Sequence, residues 1–156
     1  MSKVVDTSSL EQLDAKLSEL TPEKRNGILY SSLVRGGQVL VEATKTQLRS
    51  KMGDSATRPV RNKKKGGTPY APLIESIHIS SKDKAYCEVN VTILRRTGGF
   101  LHWFEKGTSL RKTSAGYNRG AIRALNFFLS ARQSSYEQMN STIMSNIDRG
   151  LRKILN

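Results

Sequence analysis

One stretch, residues 100–108, constrains the fold of this chain more than any other. It reads Phe-Leu-His-Trp-Phe-Glu-Lys-Gly-Thr and holds the only Trp and two of the four Phe in a sequence that is just 6% aromatic. Large rings dominate the area that a core can bury, so a run this dense predicts the buried end of a sheet. Gly107 can supply the positive φ of a tight strand exit. Glu105 then either precedes an ordinary turn or anchors a loop or a neighbouring subunit.

The charge balance indicates an anionic neighbour. The 156 residues carry 26 Lys and Arg against 13 Asp and Glu, a formal net charge of +13. Such an excess suits nucleic acid, lipid head groups or an acidic protein surface. The length predicts a single domain over residues 1–156, long enough to bury a core.

The residues needed for several kinds of chemistry are missing. A single cysteine, Cys87, excludes an internal disulfide and a cysteine-based zinc site, and fits a reducing compartment. His78 and His102 have no partners at metal-ligand spacing, and no Gly-Lys-Ser/Thr phosphate loop opens a helix. No apolar run approaches the ~18 residues that span a bilayer, and the first residues lack a signal-peptide pattern. We therefore expect a soluble, intracellularly made protein that is not an enzyme, without catalytic residues, metal, cofactor or membrane contact.

The N-terminal part predicts two helices. The acidic segment 1–20 places four leucines on one helical face, with Ser8 and Glu11 in a capping box: Leu10, Leu13, Leu17 and Leu20. A second helix begins at Thr21-Pro22 and continues to about Arg49. Gly36-Gly37 lies inside it and either admits a neighbouring backbone or marks a kink.

The periodicity changes to two at Leu73, which predicts strands near 76–81, 85–95 and 99–106. The alternation places Cys87 inward, as a core thiol. Residues 125–129 form a short apolar segment that docks under the sheet. Ser134 and Glu137 form a capping box for a last helix near 135–154. The predicted fold is α+β, an antiparallel sheet of three or more strands packed against N-terminal and C-terminal helices.

Two long basic loops interrupt these elements. The first is residues 52–72, where five cations crowd into eight residues with no acid among them: Arg58, Arg61, Lys63, Lys64 and Lys65. The second is residues 109–120, which contain no acid and carry Arg111, Lys112 and Arg119. Long loops in compact domains tend to be functional or disordered. Each loop is either a solvated connection or an arm that orders on meeting an anionic partner.

The order of these parts resembles a known family. "Pro-Leu-Ile-Glu-Ser-Ile" at 72–77 leads through an alternating strand to "Trp-Phe-Glu-Lys-Gly-Thr" at 103–108, and "Asn-Phe-Phe-Leu-Ser-Ala" at 126–131 precedes the terminal helix. This is similar to the gene-product-ten-like minor virion proteins of long-tailed phages, also called neck, head–tail joining or tail-completion proteins. In that family a strand ends in aromatic–Glu–x–Gly–Thr, and a "Pro-Phe-Leu-x-Pro-Ala" segment follows. The matching positions are Trp103, Phe104, Glu105, Gly107, Thr108, Phe127 and Phe128.

The resemblance covers most of residues 22–156 and implies a structural virion protein. Such a subunit forms a homo-oligomeric ring between head and tail around the DNA channel, beside connector or head-closure proteins and tail-terminator proteins. The basic loops would then face double-stranded DNA in the channel or acidic surfaces of adjacent rings. The departure is at Asn126 and Ser130, which replace both family prolines and leave the conformation of this segment open.

A different class of function also fits the charge. A sequence-independent nucleic-acid-binding protein acting outside any virion needs Lys and Arg against phosphates and little else. Such proteins usually also offer exposed aromatic residues or a recognition helix, whereas here the aromatics fall in predicted core segments. We therefore favour the assembly function.

The first basic loop supports a prediction from sequence alone. Replacing its five cations by Gln should change the free energy of unfolding by no more than ~0.5 kcal/mol, because exposed charges contribute little to folding. The variant should nevertheless show weaker DNA binding or poorer incorporation into particles, because clustered like charges repel one another unless an anion meets them. Thermal melting, salt-dependent DNA binding and particle incorporation measure the three effects. A variant that melts, binds DNA and enters particles like the parent chain would identify the loop as a solvated connection.

Overall fold

A computed structural model describes residues 7–60, 70–83, 86–93 and 101–155. The described chain is a mixed α+β structure built around two long helices. Its helices are α1 (Thr7–Ser18), α2 (Pro22–Met52), α3 (Leu101–Lys106) and α4 (Phe127–Leu155), and its strands are β1 (Pro59–Val60), β2 (Tyr70–Pro72), β3 (Ile77–Asp83) and β4 (Glu88–Ile93). Two short 3₁₀ turns, Gly53–Ala56 and Leu73–Ser76, precede β1 and β3.

Helices α2 and α4 pack against each other in antiparallel orientation, and glycines set their spacing. A Cβ on Gly36 would lie 2.5 Å from Cγ1 of Ile143, and one on Gly150 would lie 2.9 Å from Cγ2 of Ile28. Gly37 faces the sheet instead, since its Cβ would lie 3.2 Å from Val89. The Gly36-Gly37 pair therefore admits α4 on one side of α2 and the β-sheet on the other.

The core has two parts, one toward each end of this helix pair. The larger cluster joins α2 to the strands, α3 and the start of α4, and its buried members are Val41, Leu48, Ala56, Leu73, Ile74, Ile77, Leu101 and Phe127. The smaller cluster holds α1 against the other end of the pair through Leu17, Ile28, Ile147 and Leu151. Leu13 and Leu20 also pack there, as the leucine spacing predicts.

The strands form two separate antiparallel pairs in the described residues. Strand β3 pairs with β4, with Ile77 opposite Ile93 and Ile79 opposite Val91. These four side chains pack in or against the larger cluster, so these alternate apolar positions face the core as the pattern predicts. Strand β1 pairs with β2, which closes the base of the first basic loop. The loop thus has a paired stem, which the sequence patterns do not predict.

The predicted third strand is wrong where it can be compared, because residues 101–106 form helix α3. Consecutive apolar residues carry no period of two, and one helical turn brings Leu101 and Phe104 to the same side. Leu101 is fully buried, and Phe104 packs against the same cluster. Trp103 is only half-buried, with its ring centroid 5.3 Å from that of His102, and does not form the centre of the core.

Two other local predictions need correction. Cys87 lies in the turn before β4 with a φ of 48°, and its half-buried thiol donates to the carbonyl of Asn26 at 3.6 Å. Ser134 does not cap the last helix, which begins at Phe127; its hydroxyl donates to the carbonyl of Ala131 within the helix. Ser8 likewise lies inside α1 and not before it.

The close approach of α2 and α4 predicts opposite effects for two substitutions. Gly36→Ala should lower the free energy of unfolding by about 1–2 kcal/mol, because overpacking against Ile143 outweighs the gain in helix propensity. Gly27→Ala should raise it by about 0.5–1 kcal/mol, because a Cβ there meets nothing within 4 Å. Urea denaturation of both variants measures the difference. A stabilising Gly36→Ala would contradict the described packing.

Candidate functional site

The start of α4 is capped by a side chain from a different helix. The carboxylate of Glu105, near the end of α3, accepts the N–H of Phe128 at 2.9 Å and the N–H of Leu129 at 3.1 Å. These are two of the N–H groups that the first turn of a helix leaves without intrahelical partners. A residue just before the helix usually accepts them. Here Asn126 occupies that place with a φ of 48°, and Glu105 supplies the cap.

Main-chain contacts hold the same junction. The N–H of Leu125 donates to the carbonyl of Phe104 at 2.7 Å, and the N–H of Asn126 donates to the carbonyl of Glu105 at 3.2 Å. From α2, the ammonium of Lys51 donates to the carbonyl of Leu125 and to the hydroxyl of Ser130. The chain that returns to α4 is therefore fixed to both α3 and α2.

Gly107 and Thr108, which follow α3 directly, make further contacts with the chain that returns to α4. Gly107 has a φ of 73°, and a Cβ on it would lie 2.9 Å from the backbone of Ile122 and of Ala124. Thr108 bonds Ile122 twice: its N–H donates to the Ile122 carbonyl at 2.9 Å, and its hydroxyl accepts the Ile122 N–H at 3.0 Å. We call Glu105, Gly107 and Thr108 the clasp, because they hold together the two ends of the chain segment that runs from Thr108 to the start of α4.

The segment held by the clasp, residues 108–122, is a hydrogen-bonded ribbon that we call the basic hairpin. Lys112 bridges Asn118 in antiparallel pairing. The Arg119 N–H donates to the Arg111 carbonyl at 2.7 Å, and the Arg111 N–H donates to Gly120. The tip is closed by the N–H of Thr113, which donates to the Tyr117 carbonyl at 2.8 Å. The second basic loop therefore has its own hydrogen-bonded structure.

The hairpin and its flanks form a long basic stretch of the described chain that contains no acid. Residues 106–136 contain no Asp or Glu. They contain six cations, all exposed: Lys106, Arg111, Lys112, Arg119, Arg123 and Arg132. The ion pairs among the described residues lie elsewhere, at Lys45–Glu42, Arg58–Asp54 and Arg152–Asp148.

Two large apolar side chains on the hairpin are also exposed. Leu110 is 58% exposed and Tyr117 is 74% exposed. Sequence patterns do not reveal them, because they stand alone among polar residues without any periodicity. Only the pairing of the hairpin shows that both belong to a structured, projecting element.

The residues that flank the β1–β2 stem of the first basic loop belong to the same core cluster as residues that flank the basic hairpin. Ala56 and Leu73 flank the β1–β2 stem, and both are buried in the cluster that contains Leu101 and Phe127. Arg58 lies at the start of the stem, exposed, 3.6 Å from the carboxylate of Asp54. The other four predicted contact residues lie outside the described residues: Arg61, Lys63, Lys64 and Lys65.

The remaining motif residues serve the core. Phe127 is fully buried in the first turn of α4, and Phe128 packs beside it against the same cluster. In the part of the chain that the structure describes, no three His, Cys, Asp or Glu side chains are grouped so as to hold a metal ion. No helix of that part is long and apolar enough to cross a membrane. The junction therefore anchors both ends of a charged, exposed hairpin.

Comparison with known proteins assigns no family. No protein-family model, no curated protein and no solved structure matches the chain. The resemblance to the phage neck proteins therefore depends on the order of the motifs in this sequence.

The cap at the start of α4 leads to a prediction about stability. Glu105→Ala should lower the free energy of unfolding by about 2 kcal/mol, because two helix N–H groups lose a charged acceptor. Glu105→Gln should cost less, because its amide oxygen still accepts. Glu75→Ala, at an exposed carboxylate, should stay within ~0.5 kcal/mol of the parent chain. Denaturant unfolding measures all three, and equal values for the two alanine variants would show that the cap contributes nothing to folding.

Proposed function

We propose that this protein is a structural virion subunit of the neck of a long-tailed phage. Copies of the chain assemble into a homo-oligomeric ring that joins the head to the tail around the DNA channel. The ring contacts connector or head-closure proteins on one side and tail-terminator proteins on the other. The protein performs no catalysis and needs no cofactor.

The observation that carries this proposal is the clasp. Glu105, Gly107 and Thr108 lie within one short stretch of chain, yet they fix both ends of a projecting ribbon to a helix pair. Helix α2, with 31 residues, is about 46 Å long at about 1.5 Å per residue. A rigid wall with an arm held at a fixed angle is what a ring subunit requires, because each arm must meet the next component in the same orientation.

The exposed side chains of the basic hairpin support contact with another protein. Leu110 and Tyr117 cost free energy when left in water, and aromatic residues are enriched in protein interfaces. Both belong to a hydrogen-bonded element and not to a free chain end. These two side chains are therefore suited to contact a neighbouring subunit or an adjacent ring.

The motif order supports the same function, with one local difference. Asn126 has a φ of 48°, which proline cannot adopt because its ring fixes φ near about −65°. The backbone at this position therefore differs from the one that the family proline implies. The apolar segment is nonetheless buried through Phe127, and the terminal helix follows directly.

A sequence-independent nucleic-acid-binding protein acting outside a virion is the second candidate. The acid-free segment 106–136 favours it, since phosphate contact requires little besides clustered cations. The two candidates differ in one measurable property, because only the ring subunit must associate with copies of itself and with virion proteins.

The ring proposal predicts the effect of removing the exposed apolar side chains of the hairpin. Replacing Leu110 and Tyr117 by Ser should leave melting unchanged but reduce both the oligomer mass in light scattering and the incorporation into particles. The control is Tyr86→Ser, since Tyr86 is 80% exposed but lies outside the hairpin, in the turn before β4. The parent chain should form a closed oligomer alone or with purified virion partners. A chain that stays monomeric in every mixture would refute the proposal.

A further inference from the structure

We infer that the basic hairpin, residues 108–122, binds the phosphate backbone of double-stranded DNA. The inference deepens the proposed function and rests on it for the source of the DNA, which passes through the ring. The cationic groups that would contact phosphate all belong to described residues.

The first argument is the arrangement of charge. Six exposed cations and no acid occupy residues 106–136, whereas the ion pairs of the described chain lie on other segments. The overall charge of +13 does not explain this separation, because 13 acidic residues are available elsewhere in the sequence. The hairpin and its base therefore form a surface that attracts anions over its whole length.

The second argument is the pairing within the hairpin. Arg111 and Arg119 are neighbours across the ribbon, because the Arg119 N–H donates to the Arg111 carbonyl at 2.7 Å, and Lys112 follows directly. Like charges opposite each other in a β-ribbon destabilise it. A chain that retains Arg111 and Arg119 at such positions gains from an anion that neutralises them.

The third argument is shape. The backbone of the hairpin is paired from Arg111–Gly120 to Thr113–Tyr117, with Lys112 bridging Asn118. Its three cations lie along this paired element and are exposed to solvent. Double-stranded DNA presents a regular line of phosphates, and its major groove admits a two-stranded ribbon.

The same shape favours duplex over single-stranded nucleic acid. Proteins that bind single strands stack successive bases on several aromatic side chains. The basic hairpin has one aromatic residue, Tyr117, at its tip. The hairpin therefore has cations for phosphate contact but too few aromatic side chains to stack successive bases. This is the pattern expected for contact with a duplex backbone.

The test compares two variants with the same net charge. In the first, Arg111, Lys112 and Arg119 are replaced by Gln. In the matched control, Lys16, Lys24 and Arg149 are replaced by Gln; these are exposed cations on α1, at the start of α2 and near the end of α4. Each variant has three fewer cations than the parent chain, whose net charge is +13. Thermal melting first establishes that each variant is folded.

Binding to a duplex of about 30 base pairs and arbitrary sequence is then measured by fluorescence anisotropy between about 50 and 300 mM salt. Removing one phosphate contact lowers the slope of log affinity against log salt by about 0.9. The slope for the hairpin variant should fall by up to about 2.7, and its affinity near about 0.1 M salt should fall roughly ten- to several-hundred-fold. The control should keep nearly the parent slope.

Three results would overturn the inference. Equal losses of affinity in the two variants would show that net charge alone attracts DNA. A parent chain that prefers single strands, together with a Tyr117→Ala variant without that preference, would show stacking on the tip. A hairpin variant that binds duplex DNA normally but no longer binds nuclease-treated virion partners would assign the surface to an acidic protein.

The result of this DNA-binding test can be distinguished from the result of the test of the ring proposal. A chain that assembles into rings and particles but shows no hairpin-dependent DNA binding contradicts only this inference. A chain that binds duplex DNA through the hairpin but never associates with itself or with virion proteins contradicts the ring proposal.

Discussion

The rest of the structure depends on the bonds between one carboxylate and two backbone N–H groups. Glu105 caps the first turn of α4, and α4 supplies half of the long helix pair and part of both core clusters. Helix N-termini are stabilised by negative charge as well as by hydrogen bonds, so a carboxylate serves both needs. Because Glu105 belongs to α3, this interaction also determines where the chain must return after the basic hairpin. Local helix geometry and the position of the projecting arm are thus set by the same side chain.

The helix pair adds a second constraint, because its axes can approach closely only where side chains are absent. Gly36 faces Ile143 near the middle of the pair, and Gly150 faces Ile28 nearer the end that α1 covers. Buried hydroxyls along the same helices are satisfied within their own turns, as Ser32 bonds the carbonyl of Ile28 and Ser135 that of Ala131. The interface therefore combines small residues with polar groups that need no partner from the other helix.

Sequence patterns predict the parts of the fold that depend on local periodicity. The extent of α2 and the facing of Ile77, Ile79, Val91 and Ile93 follow from periods of about 3.6 and two. The aromatic run in residues 100–108 has no period, and burial alone cannot distinguish a strand from one turn of helix. The local capping pattern predicts the start of α4 at Ser134, whereas the residue that caps the helix is distant in sequence. The position of Glu105 after the aromatic run indicates an anchor, but its partners are defined only by the tertiary structure.

The clasp also separates the residues that stabilise the fold from the exposed residues of the basic hairpin. Hydrogen bonds between Thr108 and Ile122 close the base of the basic hairpin, and Arg111, Lys112 and Tyr117 lie beyond this closure. Residues beyond it are exposed and bury little against the two core clusters. Insertions, deletions and substitutions in the basic hairpin should therefore leave the folding of the helix pair largely unaffected, since extending a closed surface loop costs little free energy. In an evolving population, the exposed residues of this hairpin can change while selection on stability acts elsewhere in the chain.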